Sequence, residues 1–316
     1  MTYSSGGLIQ ATDYNGFVST TAGANVNATW NTTYGQTAVG TVSAAGTVTA
    51  TQWASLVNTI SSQASHQGTT ITARSAPTTG TLVSVLAAVN TDVTNTYNNR
   101  YQAVAVGSQF TGWSGTNSKT AATSGATWTI TFTNTVTFAS SAAAQYFFNA
   151  GGLVKIDVAK SATGQTGDPE WNDLATTLCG DIWISGLASA HSIAGTSYTG
   201  VTKIGGTGTP TTLTTGNGWD ALTAGGAAVI VYKQFADTAP YTANFIQHSL
   251  AKNAGSTALT ITTLWSASDG DPISGGTAAS GATPGTAPCT IVTYYPPSTT
   301  YLSASWGTPS VAATTA

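Results

Sequence analysis

Charge is what this sequence has least of. Of 316 residues, 8 are Lys or Arg and 11 are Asp or Glu, so charged side chains make up 6% of the chain, against about 25% in an average soluble domain. Eight basic residues spread over that length cannot neutralise a row of phosphates, which excludes a nucleic-acid-binding surface. No apolar run approaches the ~20 residues that a membrane-crossing helix requires, which argues against membrane insertion. The opening residues, MTYSSGGLIQATDYNGF, have neither the basic stretch nor the apolar stretch of a secretory leader. Cysteine is equally scarce. Cys179 and Cys289 stand far apart with no CxxC spacing and read as two buried, reduced thiols rather than a disulfide framework.

What remains is apolar and hydroxylic. Hydrophobic residues make up 41% of the chain, with 9 Trp, 12 Tyr and 8 Phe, and the net charge is −3. Disorder couples low hydrophobicity to high net charge, so this chain folds. Threonine fills 62 positions, and a surface so poor in ions must be solvated by hydroxyls and amides. Little on such a surface titrates or is screened by salt. Near-zero charge also favours association of copies, and faces rich in Thr and Ala pack together without desolvating ions. The composition suits a subunit of a durable extracellular assembly.

The pattern of apolar residues divides the chain near residue 105. Residues 1–48 read as short polar and glycine-bearing stretches anchored by Trp30 and Tyr34. Thr49-Ala-Thr-Gln52 is a capping-box pattern, and Trp53, Leu56, Val57, Ile60 and Ala64 after it fall on one helical face. A polar linker around Pro77–Gly80 leads to a second helical stripe, Leu82, Val85, Leu86, Val89, Val93 and Tyr97. Residues 1–105 are therefore expected to form a helical hairpin region serving attachment or oligomerisation. From Val106 the period becomes two. In 128–138, Trp128, Ile130, Phe132, Val136 and Phe138 alternate with Thr129, Thr131, Thr133, Thr135 and Thr137, the mark of a half-buried antiparallel strand. Gln145–Asn149 is read as strand, turning at Asn149-Ala-Gly-Gly152 and resuming as strand over Leu153–Val158. Asp168-Pro169-Glu170 reads as a helix start, with a short helix Trp171–Cys179 to follow. Further strands are expected over 181–185, 228–235, 241–251, 257–266 and 289–295, with linkers at 205–218 and 270–288. The fold class is thus mainly β with a helical N-terminal part: an antiparallel β-sandwich over 106–316 with long polar loops, plus the helical hairpin. The last ten residues, GTPSVAATTA, have nothing to bury and would need a partner, such as a neighbouring copy, to hold them.

The chemistry-bearing residues form no motif. Glu170, the single glutamate, sits where a helix N-terminus favours an acid. His66, His191 and His248 have no spacing that suggests a shared metal. Asp269-Gly270-Asp271 lacks the further acids of a calcium loop. No G-x-S-x-G elbow occurs, and no pair of carboxylates stands out among ten aspartates for glycoside hydrolysis. Gly205-Gly-Thr-Gly208 lacks the lysine of a phosphate-binding loop. The Asn27 and Asn31 glycosylation patterns are of the kind chance supplies in an Asn- and Thr-rich chain. The expectation is no catalytic, cofactor-binding or metal-ligating residue, and no cofactor.

Three stretches carry a resemblance: Gly6-Gly-Leu-Ile-Gln-Ala-Thr-Asp-Tyr-Asn-Gly-Phe17, Val48-Thr-Ala-Thr-Gln-Trp-Ala-Ser-Leu56 and Tyr146-Phe-Phe-Asn-Ala-Gly-Gly-Leu153. In sequence, order and spacing they resemble segments of virion structural proteins of tailed bacteriophages, notably phages of cyanobacteria. The resemblance spans about the first half of the chain and implies a non-enzymatic, tail- or fibre-associated virion subunit. Such a subunit forms homo-oligomers with other virion proteins and is assembled in the host cytoplasm. The alternatives are a head-decoration or neck protein, or a carbohydrate-binding adhesin that reads host-surface glycan through Trp and Tyr.

Overall fold

A computed structural model describes residues 10–19, 23–78, 86–110, 127–160, 168–268 and 288–315. Its helical part begins with α1 (Ala11–Val18), followed by a π-helical turn over Ala28–Thr33, α2 (Ala50–Gln67) and α3 (Leu86–Asn98). The start of α2 is written in the sequence. Thr49 Oγ1 accepts from the Gln52 N–H at 3.3 Å, while Gln52 Oε1 accepts from the Thr49 N–H at 2.8 Å, so two orphan donors are satisfied reciprocally. The helix buries Trp53, Leu56, Val57, Ile60 and Ala64, the expected stripe, and stops at Gly68 in the left-handed region (φ 72°). Val89 and Val93 of α3 join Tyr14, Phe17 and Val18 of α1 and Trp53, Leu56 and Ile60 of α2 in one small core. Leu82 and Val85 of the expected second stripe lie outside the described residues.

Within the stretch 1–48, expected as short polar and glycine-bearing segments, α1 and the π-helical turn are too short and too poor in apolar residues to show a period. Side-chain amides do the fastening here. Asn15 accepts from the Val42 N–H and donates to the Val42 carbonyl, at 2.8 and 2.7 Å. Asn27 treats Val39 in the same way, at 2.8 and 2.9 Å. Each amide pairs with the extended segment 37–42 as a neighbouring strand would.

The β part holds twelve strands: β1 (Trp128–Thr137), β2 (Leu153–Ala159), β3 (Asp181–Ile184), β4 (His191–Ile193), β5 (Thr196–Tyr198), β6 (Val201–Ile204), β7 (Thr212–Leu213), β8 (Val229–Phe235), β9 (Phe245–Lys252), β10 (Ala258–Ala267), β11 (Cys289–Tyr295) and β12 (Ser310–Thr315). They form a six-stranded sheet in the order β12-β1-β10-β9-β8-β7, a four-stranded sheet in the order β11-β2-β3-β6, and the small hairpin β4-β5. Neighbouring strands pair antiparallel. The two larger sheets share one core. Ile130, Phe132, Val136, Leu259, Ile261 and Trp265 come from the large sheet, and Val154, Ile156, Ile182, Ile184 and Val292 from the small one. This is the expected mainly β, sandwich-like architecture with a helical N-terminal part. The strands expected at 128, 153, 181, 228, 241, 257 and 289 are all present within a few residues.

One expected strand is a helix. Gln145–Asn149 belongs to α4 (Ser141–Asn149), whose first turn is capped by Ser140 Oγ accepting from the Ala143 N–H at 3.0 Å. Ala143, Ala144, Phe147 and Phe148 are its buried residues. Their spacing is helical, and it resolves how adjacent aromatics both face inward. Phe147 packs on Phe138 at 5.2 Å, and Phe148 stacks on Trp219 at 5.1 Å. The Gly-Gly that follows is dictated by space. Gly151 has φ 91°, and a Cβ on Gly152 would stand 2.5 Å from the Phe147 ring. The expected helix 171–179 is present as α5 (Asp168–Asp173) continued by a π-helical stretch, Leu174–Leu178. The short strands β4 to β7 were not foreseen. The tail is also held within the chain, because β12 pairs with β1 from Phe132↔Thr315 to Thr137↔Ser310.

The helical and β parts meet at the end of α4. His66 Nε2 lies 3.1 Å from the Ala150 carbonyl, Asn149 Nδ2 donates to the Thr33 carbonyl at 3.2 Å, and Gln67 Nε2 donates to the Tyr34 hydroxyl at 2.9 Å. Gln36 exchanges two 2.8 Å hydrogen bonds with Ser303.

The core makes a two-sided prediction. Phe132→Ala and Phe148→Ala, at 0% and 2% exposed, should each lower stability by about 3–5 kcal/mol through lost burial and a cavity. Asn134 lies between Phe132 and Val136 on the inward row, fully buried, and neither amide atom has a hydrogen-bond partner. Asn134→Val should therefore raise stability by about 1–2 kcal/mol. Urea unfolding monitored by tryptophan fluorescence measures all three, and a loss of stability in Asn134→Val would show that the amide is satisfied.

Candidate functional site

The large sheet presents an outward face without ions. On β1 that face is Thr129, Thr131, Thr133, Thr135 and Thr137; on β10 it is Thr260, Thr262, Leu264 and Ser266; on β9 it is Phe245, Gln247, Ser249 and Ala251. The register lines these up in rows. Thr314, Thr133, Thr262 and Ser249 stand side by side across four strands, as do Ala312, Thr135, Thr260 and Ala251. Cross-strand Thr pairs stabilise the sheet by a few tenths of a kcal/mol to about 1 kcal/mol each, and they leave methyls and hydroxyls facing outward. The first charge met along these rows is Lys233 on β8, whose ammonium sits 3.7 Å from the Phe245 ring centroid.

The edge of this face is as bare as its centre. β12, with sequence SVAATT, carries no charge and no proline. Edge strands are normally protected by Lys, Pro, bulges or brevity. The opposite edge has that protection, because β7 is two residues long. The small sheet contrasts with both. Lys155 pairs with Asp157 at 3.5 Å and with Asp181 at 3.6 Å beside Trp183. The hairpin β4-β5 packs there, with Ile193 and Tyr198 against Leu153 and Ala103. Its turn, Ala194-Gly195, has φ 50° and 78°, the two positive values that suit a two-residue hairpin.

The structure disperses the titratable residues that the sequence singled out. His66 lies in α2 against the Ala150 carbonyl, edge-on to Tyr34 at 5.2 Å. His248 lies on the inward face of β9, 3.0 Å from Thr263 Oγ1 and stacked on Tyr232 at 5.3 Å. His191 Nδ1 lies 2.8 Å from the Ser189 carbonyl. Burial lowers the first two to about 4 and about 3, so both are neutral core residues at neutral pH. Burial likewise pushes the thiols of Cys179 and Cys289 up to about 12, and both are free and buried as expected. Gly205 and Gly206 form a turn whose carbonyls accept from Lys203 Nζ at 2.8 and 2.9 Å. The amide nitrogens of Asn27 and Asn31 are spent on backbone carbonyls. Asp269–Asp271 lie outside the described residues.

Glu170 was read as a helix-start acid, and it is one. The fold also brings Asp173 and Asp237 to it, with carboxylate oxygens of all three within 4.8 Å of one another. Sequence reading missed this grouping. The i, i+3 spacing of Glu170 and Asp173 was visible, but Asp237 arrives from a different connection. Two surface hollows occur elsewhere, one lined by Val57, Ile60, Ile71 and Arg74, the other by Tyr294, Pro296, Pro297 and Trp306. Neither is lined by an acid or a histidine. Among the described residues, Tyr301 is the one widely exposed aromatic.

The two buried histidines set a pH dependence. Their folded pKa values lie below the unfolded value of ~6.5, so below that pH the unfolded chain takes up protons that the folded chain refuses, and stability falls. Each should cost about 2 kcal/mol between pH 7 and pH 5. His66→Gln and His248→Gln should each flatten the fall in urea-unfolding free energy over that interval by this amount. An unchanged slope would mean that the histidines titrate normally.

No family model, curated protein or solved structure matches the chain.

Proposed function

We propose that this chain is a non-enzymatic structural subunit of a phage virion, tail- or fibre-associated, that assembles with copies of itself and with other virion proteins after synthesis in the host cytoplasm. The observation that carries this reading is the ion-free outward face of β1, β10 and β9, continued into edge strand β12, which carries neither charge nor proline. Burying that face desolvates hydroxyls and methyls but no charge, whereas each ion taken from water would cost several kcal/mol. An open antiparallel edge also accepts another strand through backbone hydrogen bonds. Two copies meeting at β12 about a two-fold axis would extend the sheet without any new side-chain chemistry.

The three stretches that carry the resemblance to virion proteins support the same reading by what they do in the fold. Gln10 and Asp13 cap α1, and Asn15 clips the chain at Val42. Thr49 and Gln52 cap α2. Phe147 to Gly152 join the helical part to the sheets. Among the described residues of these stretches, none places an acid, base or nucleophile in either surface hollow.

The test is self-association. Thr133→Lys with Thr262→Lys on the face, and separately Ala312→Lys on the edge, should each reduce the oligomer seen by sedimentation velocity by at least tenfold in apparent affinity. The thermal midpoint should fall by only a few degrees, since these positions are not core, although the facing lysines at 133 and 262 repel across the strands. The same variants should be depleted from purified particles when supplied in place of the parent chain. A protein that is monomeric throughout, or that retains sugars from host envelopes without self-associating, would replace this reading with that of an adhesin.

A further inference from the structure

The geometry points to a divalent-cation site, selective for Ca²⁺, formed by Glu170 and Asp173 of α5 and by Asp237 in the connection after β8. This goes beyond the assembly reading and does not depend on it. Glu170 and Asp173 are three residues apart, on one side of a helical turn. Asp237 follows the end of β8 by two residues, and carboxylate oxygens of the three groups lie within 4.8 Å of one another. The charges that act on Glu170 are those of Asp173 and Asp237, both of the same sign as its own. Burial, reinforced by those neighbours, pushes its carboxyl above the usual range even though Thr238 donates to it from backbone and hydroxyl.

A second observation is independent of the clustering. Glu170 is 8% exposed, and its Oε1 is buried with no hydrogen-bond partner. Thr238 satisfies the carboxyl at one end alone, and leaving a buried carboxylate oxygen without a donor is costly. A cation held by the three carboxylates supplies positive charge among acids of one sign and a further partner for the Glu170 carboxyl.

The ligand chemistry selects the ion. All three donors are carboxylate oxygens, the set preferred by hard cations, and no Cys or His joins them. In a Ca²⁺ shell with ligands at 2.3–2.6 Å, opposite oxygens stand ~4.6–5.2 Å apart. Three oxygens, each within 4.8 Å of the others, lie inside the span of such a shell. Mg²⁺, at ~2.0–2.1 Å, demands near-ideal octahedral geometry and gives up its waters reluctantly, so three carboxylates from two separate segments suit the more flexible Ca²⁺ shell better. The bound ion would tie α5 and the π-helical stretch Leu174–Leu178, which is packed in the core, to the loop between β8 and β9.

The experiment uses the full chain, stripped with EGTA and titrated with CaCl₂ or MgCl₂, read by thermal unfolding and by Tb³⁺ luminescence excited through the neighbouring Trp171. Ca²⁺ near ~1 mM, the affinity range of extracellular calcium modules, should raise the unfolding midpoint by several degrees and saturate, with Mg²⁺ giving less than half the shift. Tb³⁺ emission should appear and be competed away by Ca²⁺. Glu170→Gln and Asp237→Asn should lose both responses. Stripped Glu170→Gln should unfold no earlier than the stripped parent, since it removes repulsion, which separates loss of the site from loss of the fold. No Ca²⁺ response up to ~10 mM, an equal response in Asp237→Asn, or a midpoint that follows pH but not Ca²⁺ would each overturn the site. Self-association of the face variants is measured separately, so failure here leaves the assembly reading standing.

Discussion

Burial of the inward rows of β1 and β10 is the interaction on which the β part depends, and on β1 it is encoded by bulky inward side chains alternating with threonine. The outward threonines alternate with a bulkier inward row, Ile130, Phe132, Asn134 and Val136, so the two faces of β1 differ in both size and polarity. Slipping the strand by one residue would send Ile130, Phe132 and Val136 outward and bring five threonines into the core. At about 1–3 kcal/mol for each unsatisfied hydroxyl, that slip would cost about as much as a typical domain's entire stability. Register is fixed here without an ion pair, and the outward face is left uncharged as a direct result.

The same economy runs through the helical part. Where other proteins tie segments with ion pairs, this one uses side-chain amides against backbone: Asn15 on Val42, Asn27 on Val39, Gln63 on the Val26 carbonyl, Gln36 on Ser303 and Asn149 on the Thr33 carbonyl. Among the described residues, ion pairs join Arg74 to Asp92 and Lys155 to Asp157 and Asp181. Amide-to-backbone bonds do not weaken with ionic strength as exposed ion pairs do. A fold built this way keeps its fastenings in fresh water and in brine alike.

Much of this was legible in the sequence where periodicity was long. Ten residues of strict alternation located β1, and the capping box with its stripe located α2. Gln145–Asn149 was misread because its aromatic triplet fits neither period alone; the deciding signal lies upstream, in Ser140 and the Ala run that make a helix start. The strands β4 to β7 are two to four residues long, too short for alternation to register. β12 carries almost no hydrophobic signal, since its place is set by pairing with β1 across the whole β part. The uncharged face could be read in outline from composition and from β1. The grouping of Glu170, Asp173 and Asp237 could not, because it depends on a connection that only the folded sheet brings back to α5.

The pairing of β1 with β10 also bears on synthesis. Thr137 and its partner Ala258 are separated by more than a hundred residues, and a ribosome adds about 5–20 residues per second. The inward row of β1 must therefore wait roughly ten seconds for its neighbour, while α4, β2 and β3 emerge and can fold beside it. During that interval Ile130, Phe132 and Val136 form an unpaired apolar strand on every nascent chain of a polysome. Chains made side by side would expose the same strand at the same moment, so the hazard is premature pairing between neighbours.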